Sequence, residues 1–393
     1  MLELLFLLLP ISMLYGWYMG RRSAKKDQEH VQNDFSRNYV TGLNFFLSNQ
    51  QDKAVDLFLS MLQKQESENH IAREPQFESE LTLGNLFRSR GELDRALRIH
   101  EGLVNNPNYS FEQKLLAKQQ LAMDFFKAGF YDRAEQYYIT LVDEPEFAQH
   151  SLLQLIRTYE KTRDWKKTVN VAEKLLKIDP DTDRTMVAHL YCEYAQSYLN
   201  EDNVYLSLLE KALSYSPNCT RASILLGNFY YKNSQFEDAL SHYENVLNQD
   251  PDYISEVLEN IKSCYIQLGQ VENFEFFLIK ANQIQHDSSI DLAIAEIVEK
   301  KDGIAAAQSV LYQQLKQHSS LITFQRFIYY QMNNAEQGGG RDSLVLLHDM
   351  VGEHLKKSSR YKCRQCGYQS YRLAWHCPSC HNWETIKPIQ HIV

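Results

Sequence analysis

Proline and glycine are scarce in this chain: 9 Pro and 15 Gly in 393 residues. That scarcity argues against a loop-rich all-β fold. Cysteine is too sparse for a disulfide framework, with seven in all, three of them (Cys192, Cys219 and Cys264) scattered through helical text as small buried hydrophobes. Free thiols fit a reducing compartment. Excess basic charge is also missing. The 41 Lys and Arg stand against 50 Asp and Glu, a net charge of -9, and an acidic body is unlike a duplex-binding protein. No Gly-rich phosphate loop, no G-x-S-x-G elbow and no H-E-x-x-H is present, and the acids fall on solvated helix faces, so no catalytic constellation stands out and the chain reads as a non-enzyme.

What is present begins with one apolar run. Leu4 to Gly20 carries no charge over seventeen residues. As a helix it spans about 26 Å, against a hydrocarbon core of about 30 Å, and Leu2 can extend it. Trp17 and Tyr18 stand at its end, and Arg21, Arg22, Lys25 and Lys26 follow, with only Glu3 before it. This pattern predicts a single transmembrane anchor over residues 1–20 and a linker over 21–34. The N-terminus is expected outside and residues 21–393 in the cytoplasm. The rival, a cleaved signal peptide, needs basic residues before the run and small ones after it.

From 35 to 355 the text is helical, with a repeat in it. Two small residues stand twelve apart, with a bulky residue three after the first and four after the second. The copies are Gly42, Phe45, Ala54, Phe58; Gly84, Phe87, Ala96, His100; Ala122, Phe125, Ala134, Tyr138; a weaker Ile156, Tyr159, Thr168, Ala172; then Gly227, Tyr230, Ala239, Tyr243 and Ala295, Val298, Ala307, Leu311. The spacing predicts a tetratricopeptide (TPR) array. Small residues let two antiparallel helices approach to about 8–10 Å, and bulky ones fill the adjacent holes. One hairpin cannot bury its apolar face, so neighbours are expected to stack into a superhelical solenoid. Six units are clear and up to three are degraded. The unit around Ala195, Tyr198 and Ala212 has lost residues at its turn (Asn200 to Asn203), and the one near Cys264 keeps only a Gly269-Gln270 turn signal. Gly338 to Gly340 reads as a loop before a final helix over 343–355, with Leu344, Leu347, Met350, Val351 and Leu355 on one face.

Residues 356–393 form a separate module. Cys363-x-x-Cys366-Gly367 and Cys377-Pro-x-Cys380 are two knuckles that can aim four thiolates at one ion, and a segment this short cannot fold on apolar burial alone. The expectation is one zinc or iron ion in a closed, structural four-Cys site similar to rubredoxin and zinc-ribbon modules, with Tyr361, Tyr368, Tyr371, Trp375 and Trp383 packed around it. His376 and His381 adjoin the cysteines and read as solvent-facing or hydrogen-bonded, with substitution for a cysteine ligand as the alternative. Seven Lys and Arg against Glu384 give the segment +6 and leave -15 for the rest. Such a tail can meet nucleic acid, anionic lipid head groups or the acidic body, and it is expected to fold back on the repeats and fix their end.

Anchor, array and module together resemble the lipopolysaccharide assembly protein B family (LapB, also called YciM). The runs Leu2 to Pro10, Tyr15 to Arg22, Ser48 to Leu59, Leu81 to Glu92, Trp375 to Cys380 and Thr385 to Ile389 carry the resemblance. It implies a non-enzymatic regulator at the cytoplasmic face of the inner membrane, which promotes degradation of the LpxC deacetylase by the membrane protease FtsH and meets an inner-membrane regulator of the YejM/PbgA type. It further implies that Cys363, Cys366, Cys377 and Cys380 are metal ligands and that the first helix is needed for activity. Two other function classes remain open: a redox or metal-sensing switch, and an RNA-binding ribbon using Arg360, Lys362, Arg364 and Arg372.

Overall fold

The computed structural model describes residues 13, 15–22, 37–67 and 73–389. Most of the expected anchor and linker lies outside them. Residues 15–22 are helical, with the Arg21 guanidinium 5.3 Å from the Trp17 ring. Among the described residues, no helix is long and apolar enough to cross a membrane. The chain divides into two compact units, Met1–Pro180 and Asp181–Val393.

The first unit is built from helices packed on their neighbours in sequence: 37–47, Gln51–Ser67, Arg73–Ser89, Leu93–Asn105, Phe111–Lys127, Tyr131–Val142, Pro145–Thr162 and Trp165–Ile178. The two small residues of each repeat are where the helices touch. Ala54, Ala96, Ala122 and Ala134 are fully buried. A Cβ on Gly42 would stand 2.7 Å from the Phe58 ring, and one on Gly84 would strike His100. The last bulky residue of each copy, sixteen positions on, therefore lies over the first small one. Burying such a ring stabilises the hairpin by about 1.5–3 kcal/mol. His100 takes this place with a polar ring, so it needs a partner. Its Nδ1 lies 2.5 Å from the buried Asp124, which also accepts from Arg88 at 2.9 Å, and three helices are tied together.

The turn inside each hairpin has a rule of its own. Asn49, Gly91, Gly129 and Arg163 all adopt a left-handed backbone, φ between 58 and 83. Each stands seven residues after a leading position (42, 84, 122 and 156). The left-handed residue closes the helix so that the chain can reverse, and glycine occupies it without strain.

In the second unit the helices are Arg184–Gln196, Asp202–Tyr215, Thr220–Lys232, Phe236–Gln249, Ile254–Gln267, Val271–Ile284, Ser288–Asp302, Ile304–Gln317, Leu321–Asn334 and Gly339–Lys357, with a 3-10 turn at Pro251–Tyr253. Gly227 repeats the close approach: a Cβ there would meet the Tyr243 ring at 2.6 Å, and Ser234, seven residues on, is left-handed. Gly269 has φ 69, which puts the leading position of the degraded unit at Lys262. The unit led by Ala195 has no left-handed residue at position 202; there the next helix begins at once.

The end of the array differs from expectation. Only Gly338 of the three glycines is in the turn (φ 153), and the final helix starts at Gly339. Two adjacent glycines can enter a first helical turn because its N–H groups have no intrahelical partner to lose. Leu344, Val351 and Leu355 are half-buried, but Leu347 and Met350 are 46% and 61% exposed, so the predicted face is not fully covered.

After the final helix, β1 (Tyr361–Cys363) pairs antiparallel with β2 (Gln369–Ser370) and with β3 (Ile386–Pro388), in the order β2-β1-β3. Cys363 stands opposite Ile386.

Candidate metal centre

The buried apolar interior of the ribbon amounts to Cys363, Cys377 and Ile386, with Tyr361, Ala374 and Cys380 against it. Such a core cannot order the segment alone, and the cysteines are its centre. Their four sulfurs lie within 4.8 Å of one another. Cys363 Sγ is 3.8 Å from Cys380 Sγ, and Cys366 Sγ is 3.7 Å from Cys377 Sγ. A tetrahedral ion with metal–sulfur bonds of about 2.3 Å sets sulfurs about 3.8 Å apart. The donor set thus fits one four-coordinate ion with no position left open.

Both knuckles turn alike. Gly367 N–H donates to the Cys363 carbonyl at 3.0 Å, and His381 N–H to the Cys377 carbonyl at 2.9 Å. Gly367 and His381 are both left-handed (φ 77 and 58). His381 therefore holds the glycine position of the second knuckle and is not a sulfur substitute. His376 lies 3.0 Å from the His381 carbonyl through Nε2 and stacks on Trp383, and neither histidine joins the four-sulfur group. Burial pushes the Cys363 thiol up, but the Thr385 hydroxyl and the Cys366 N–H outweigh it and hold the pKa at about 6. Burial prevails at Cys377, raised to about 11.

The expected aromatic wrap is only partly present. Tyr368 and Tyr371 are 40% and 61% exposed. Trp375 and Trp383 instead face the helices of the second unit, because flat apolar rings gain more from the repeats than from a site filled by sulfur. Trp375 meets the Tyr253 ring at 4.9 Å, and Trp383 stacks on His189 at 5.1 Å and 12°. Tyr253, fully buried, donates its hydroxyl to the Ile386 carbonyl at 3.0 Å. Tyr361 donates to Glu256 at 2.8 Å, Arg364 pairs with Asp252 at 3.5 Å, and Lys387 pairs with Asp250 while lying over the Tyr253 ring. His189 Nε2 is 3.4 Å from Glu384.

The ribbon folds back on the acidic repeats, as its charge suggested. It does not simply fix their end, since its seat is the helix Arg184–Gln196 and the 250–256 turn. Burial and the nearby carboxylates (Glu384, Asp250, Asp252 and Glu256) raise the Tyr253 hydroxyl far out of the titrating range, so it stays a donor. Arg364 and Lys387 are engaged with acids here, while Arg360, Lys362 and Arg372 remain exposed. The seat residues His189, Asp250, Asp252, Tyr253 and Glu256 had no local signal in the sequence. The lone acid of the tail, Glu384, was the one hint.

A family model described as a rubredoxin metal binding domain matches residues 361–388, and a tetratricopeptide repeat model matches 206–259. Lipopolysaccharide assembly protein B of Haemophilus influenzae is 60% identical over 390 residues, 99% of this chain and 98% of its own. The chain belongs to the lipopolysaccharide assembly protein B family. The relative of that name from Escherichia coli K12 is 44% identical over 392 residues, 99% of both chains. A solved tetratricopeptide repeat protein from Parabacteroides merdae aligns with 76% of this chain and 98% of its own at 11% identity, with a TM-score of 0.34. Membership in the family thus covers helices and ribbon together.

Proposed function

We propose that this protein is a non-catalytic adaptor of lipopolysaccharide assembly, tethered by residues 1–20 to the inner membrane with its bulk in the cytoplasm, which brings the LpxC deacetylase to an FtsH-type membrane protease and answers to a YejM/PbgA-type regulator. The observation that carries the reading is the near full-length identity to lipopolysaccharide assembly protein B. Stacked helical hairpins supply broad surfaces for protein partners. A tether supports the same reading: it confines the adaptor to the plane of a membrane protease and raises its effective concentration there. The uncharged run Leu4 to Gly20, with Arg21 and Arg22 behind it, supports the tether and its orientation.

In this reading Cys363, Cys366, Cys377 and Cys380 hold one zinc or iron ion. The ion, when bound, supplies a structural cross-link and no open coordination position. The chain's own residues then hold the ribbon on its seat: Tyr253 by its hydroxyl, Asp250 and Asp252 by charge, His189 by its ring. Of the four cations that the RNA-binding alternative uses, Arg364 pairs with Asp252, while Arg360, Lys362 and Arg372 stay exposed.

The test is the half-life of LpxC in a host lacking its own homologue. Expression of this chain is expected to shorten it, in a manner that depends on FtsH, and Cys363→Ser with Cys366→Ser to lengthen it again, with metal lost from the purified variant. An unchanged half-life, or full regulation by the metal-free variant, overturns the reading. Recovery of a chain lacking residues 1–20 in the membrane fraction, at the level of the intact protein, removes the tether.

A further inference from the structure

Cys192 and Cys219, which the proposed function does not use, bring their sulfurs to 4.0 Å from each other. Both are fully buried. They stand on different elements: Cys192 inside the helix Arg184–Gln196, Cys219 at the N-cap of Thr220–Lys232 with extended backbone (φ -70, ψ 90). The Cys219 N–H donates to the Ser216 carbonyl at 3.0 Å, and its own carbonyl accepts from Ala222 at 3.1 Å. Closing to a disulfide needs the sulfurs to come to about 2.05 Å. We infer that this pair is a redox site, which an oxidant of the peroxide class converts to a disulfide stapling the two helices.

The surroundings favour the chemistry. Arg221, two residues after Cys219, is 4% exposed, and its Nε and Nη1 have no hydrogen-bond partner. Its Nη2 pairs with Glu193 at 2.8 Å, and the two charges act on Cys192 in opposite senses. At Cys219 the Ala222 N–H of the first helical turn favours the thiolate. The two thiols are unequal. The contact with the Cys192 sulfur pulls the Cys219 pKa down despite burial, whereas burial pushes Cys192 up. Cys264, also fully buried, carries no such sulfur contact among the described residues, and burial raises it to about 11.

The electrons balance with peroxide as the only co-reactant. The Cys219 thiolate attacks one peroxide oxygen, the O–O bond breaks, and hydroxide leaves to take a proton and become water. The Cys192 sulfur then attacks the sulfenic acid on Cys219. The S–O bond breaks, the leaving hydroxide takes the Cys192 proton as a second water, and the S–S bond forms. Two thiols are oxidised and one peroxide is reduced. Cys192 lies one helical turn beyond His189, on which Trp383 of the ribbon rests, so the staple bears on the ribbon's seat.

The experiment treats the full-length protein, as isolated, with increasing hydrogen peroxide, blocks remaining thiols with iodoacetamide after denaturation, and maps every cysteine by peptide mass spectrometry. The expected result is joint loss of the Cys192 and Cys219 free-thiol signals into one cross-linked peptide, reversed by a phosphine reductant, at a peroxide level where Cys264 stays fully alkylated. In the Cys219→Ser variant Cys192 should then remain alkylated. Oxidation of Cys264 at the same dose as the pair, or a pair still separately alkylated once the ribbon cysteines have oxidised, overturns the inference. The wild-type map decides the matter even where the variant does not fold.

Discussion

The His189 ring lies parallel to the Trp383 indole, 5.1 Å away, while its Nε2 stands 3.4 Å from Glu384. One side chain of the repeats thus meets the ribbon through both its face and its edge. His189→Ala removes both contacts and leaves the half-buried Glu384 side chain, whose Oε1 already lacks a partner, without its Nε2 contact as well. Losing such a contact costs about 1–3 kcal/mol. The ribbon is expected to leave its seat yet keep its metal. Limited proteolysis should cut faster around residues 358–360 while metal content stays at the wild-type level. An unchanged cutting rate would mean that Tyr253 and Lys387 hold the ribbon by themselves.

Gly227 has no room for a methyl group under Tyr243. Gly227→Ala should lower stability by about 1–3 kcal/mol, because overpacking outweighs the better helix propensity of alanine. Gly102, also helical, has nothing within 4 Å of its missing Cβ. Gly102→Ala should raise stability by about 0.5–1 kcal/mol. Denaturant midpoints of the two variants, moving in opposite directions, check both statements.

Arg163 stands where Gly91 and Gly129 stand in other hairpins, at φ 58. The left-handed backbone strains any residue with a Cβ. Arg163→Gly is expected to stabilise by about 0.5–1 kcal/mol, seen as a rise in Tm, and a fall would show that the arginine side chain matters more than its backbone.

Burial, with a smaller push from Asp287, raises the Asp291 carboxyl to about 6 from a usual value near 4. The folded state therefore holds its proton more tightly than the unfolded one. Stability from this group is full below about pH 4 and is lost as pH rises through about 6. Asp291→Asn should then be more stable than wild type at pH 8, with the gap closing below pH 4. Urea melts at the two pH values test the sign.

Local rules were legible in the sequence and long-range ones were not. The pairs Gly42 with Phe58 and Gly227 with Tyr243 recur at one offset of sixteen, because a helical hairpin repeats its own geometry. The four cysteines were legible because two short turns and one ion need nothing from the rest of the chain. The left-handed position seven after the leaders at 42, 84, 122, 156 and 227 was half-hidden, since asparagine, arginine and serine share it with glycine. The ribbon's seat was invisible: His189 and Glu384 are 195 residues apart, and Tyr253 and Ile386 are 133 apart. No periodicity links such residues. Tyr368 and Tyr371 misled for the same reason, as composition cannot say which aromatic rings face the repeats.

The strand β3 comes after the last cysteine, yet it forms one edge of the sheet and carries much of the ribbon's hold on the repeats. All four sulfurs precede Glu384, Ile386 and Lys387 along the chain. The four-sulfur site therefore needs none of those three residues, while part of the ribbon's hold on the repeats comes from beyond it. A chain cut short after Cys380 would keep all four sulfurs and still grip its seat through Tyr361, Arg364 and Trp375, but without Glu384, Ile386 and Lys387.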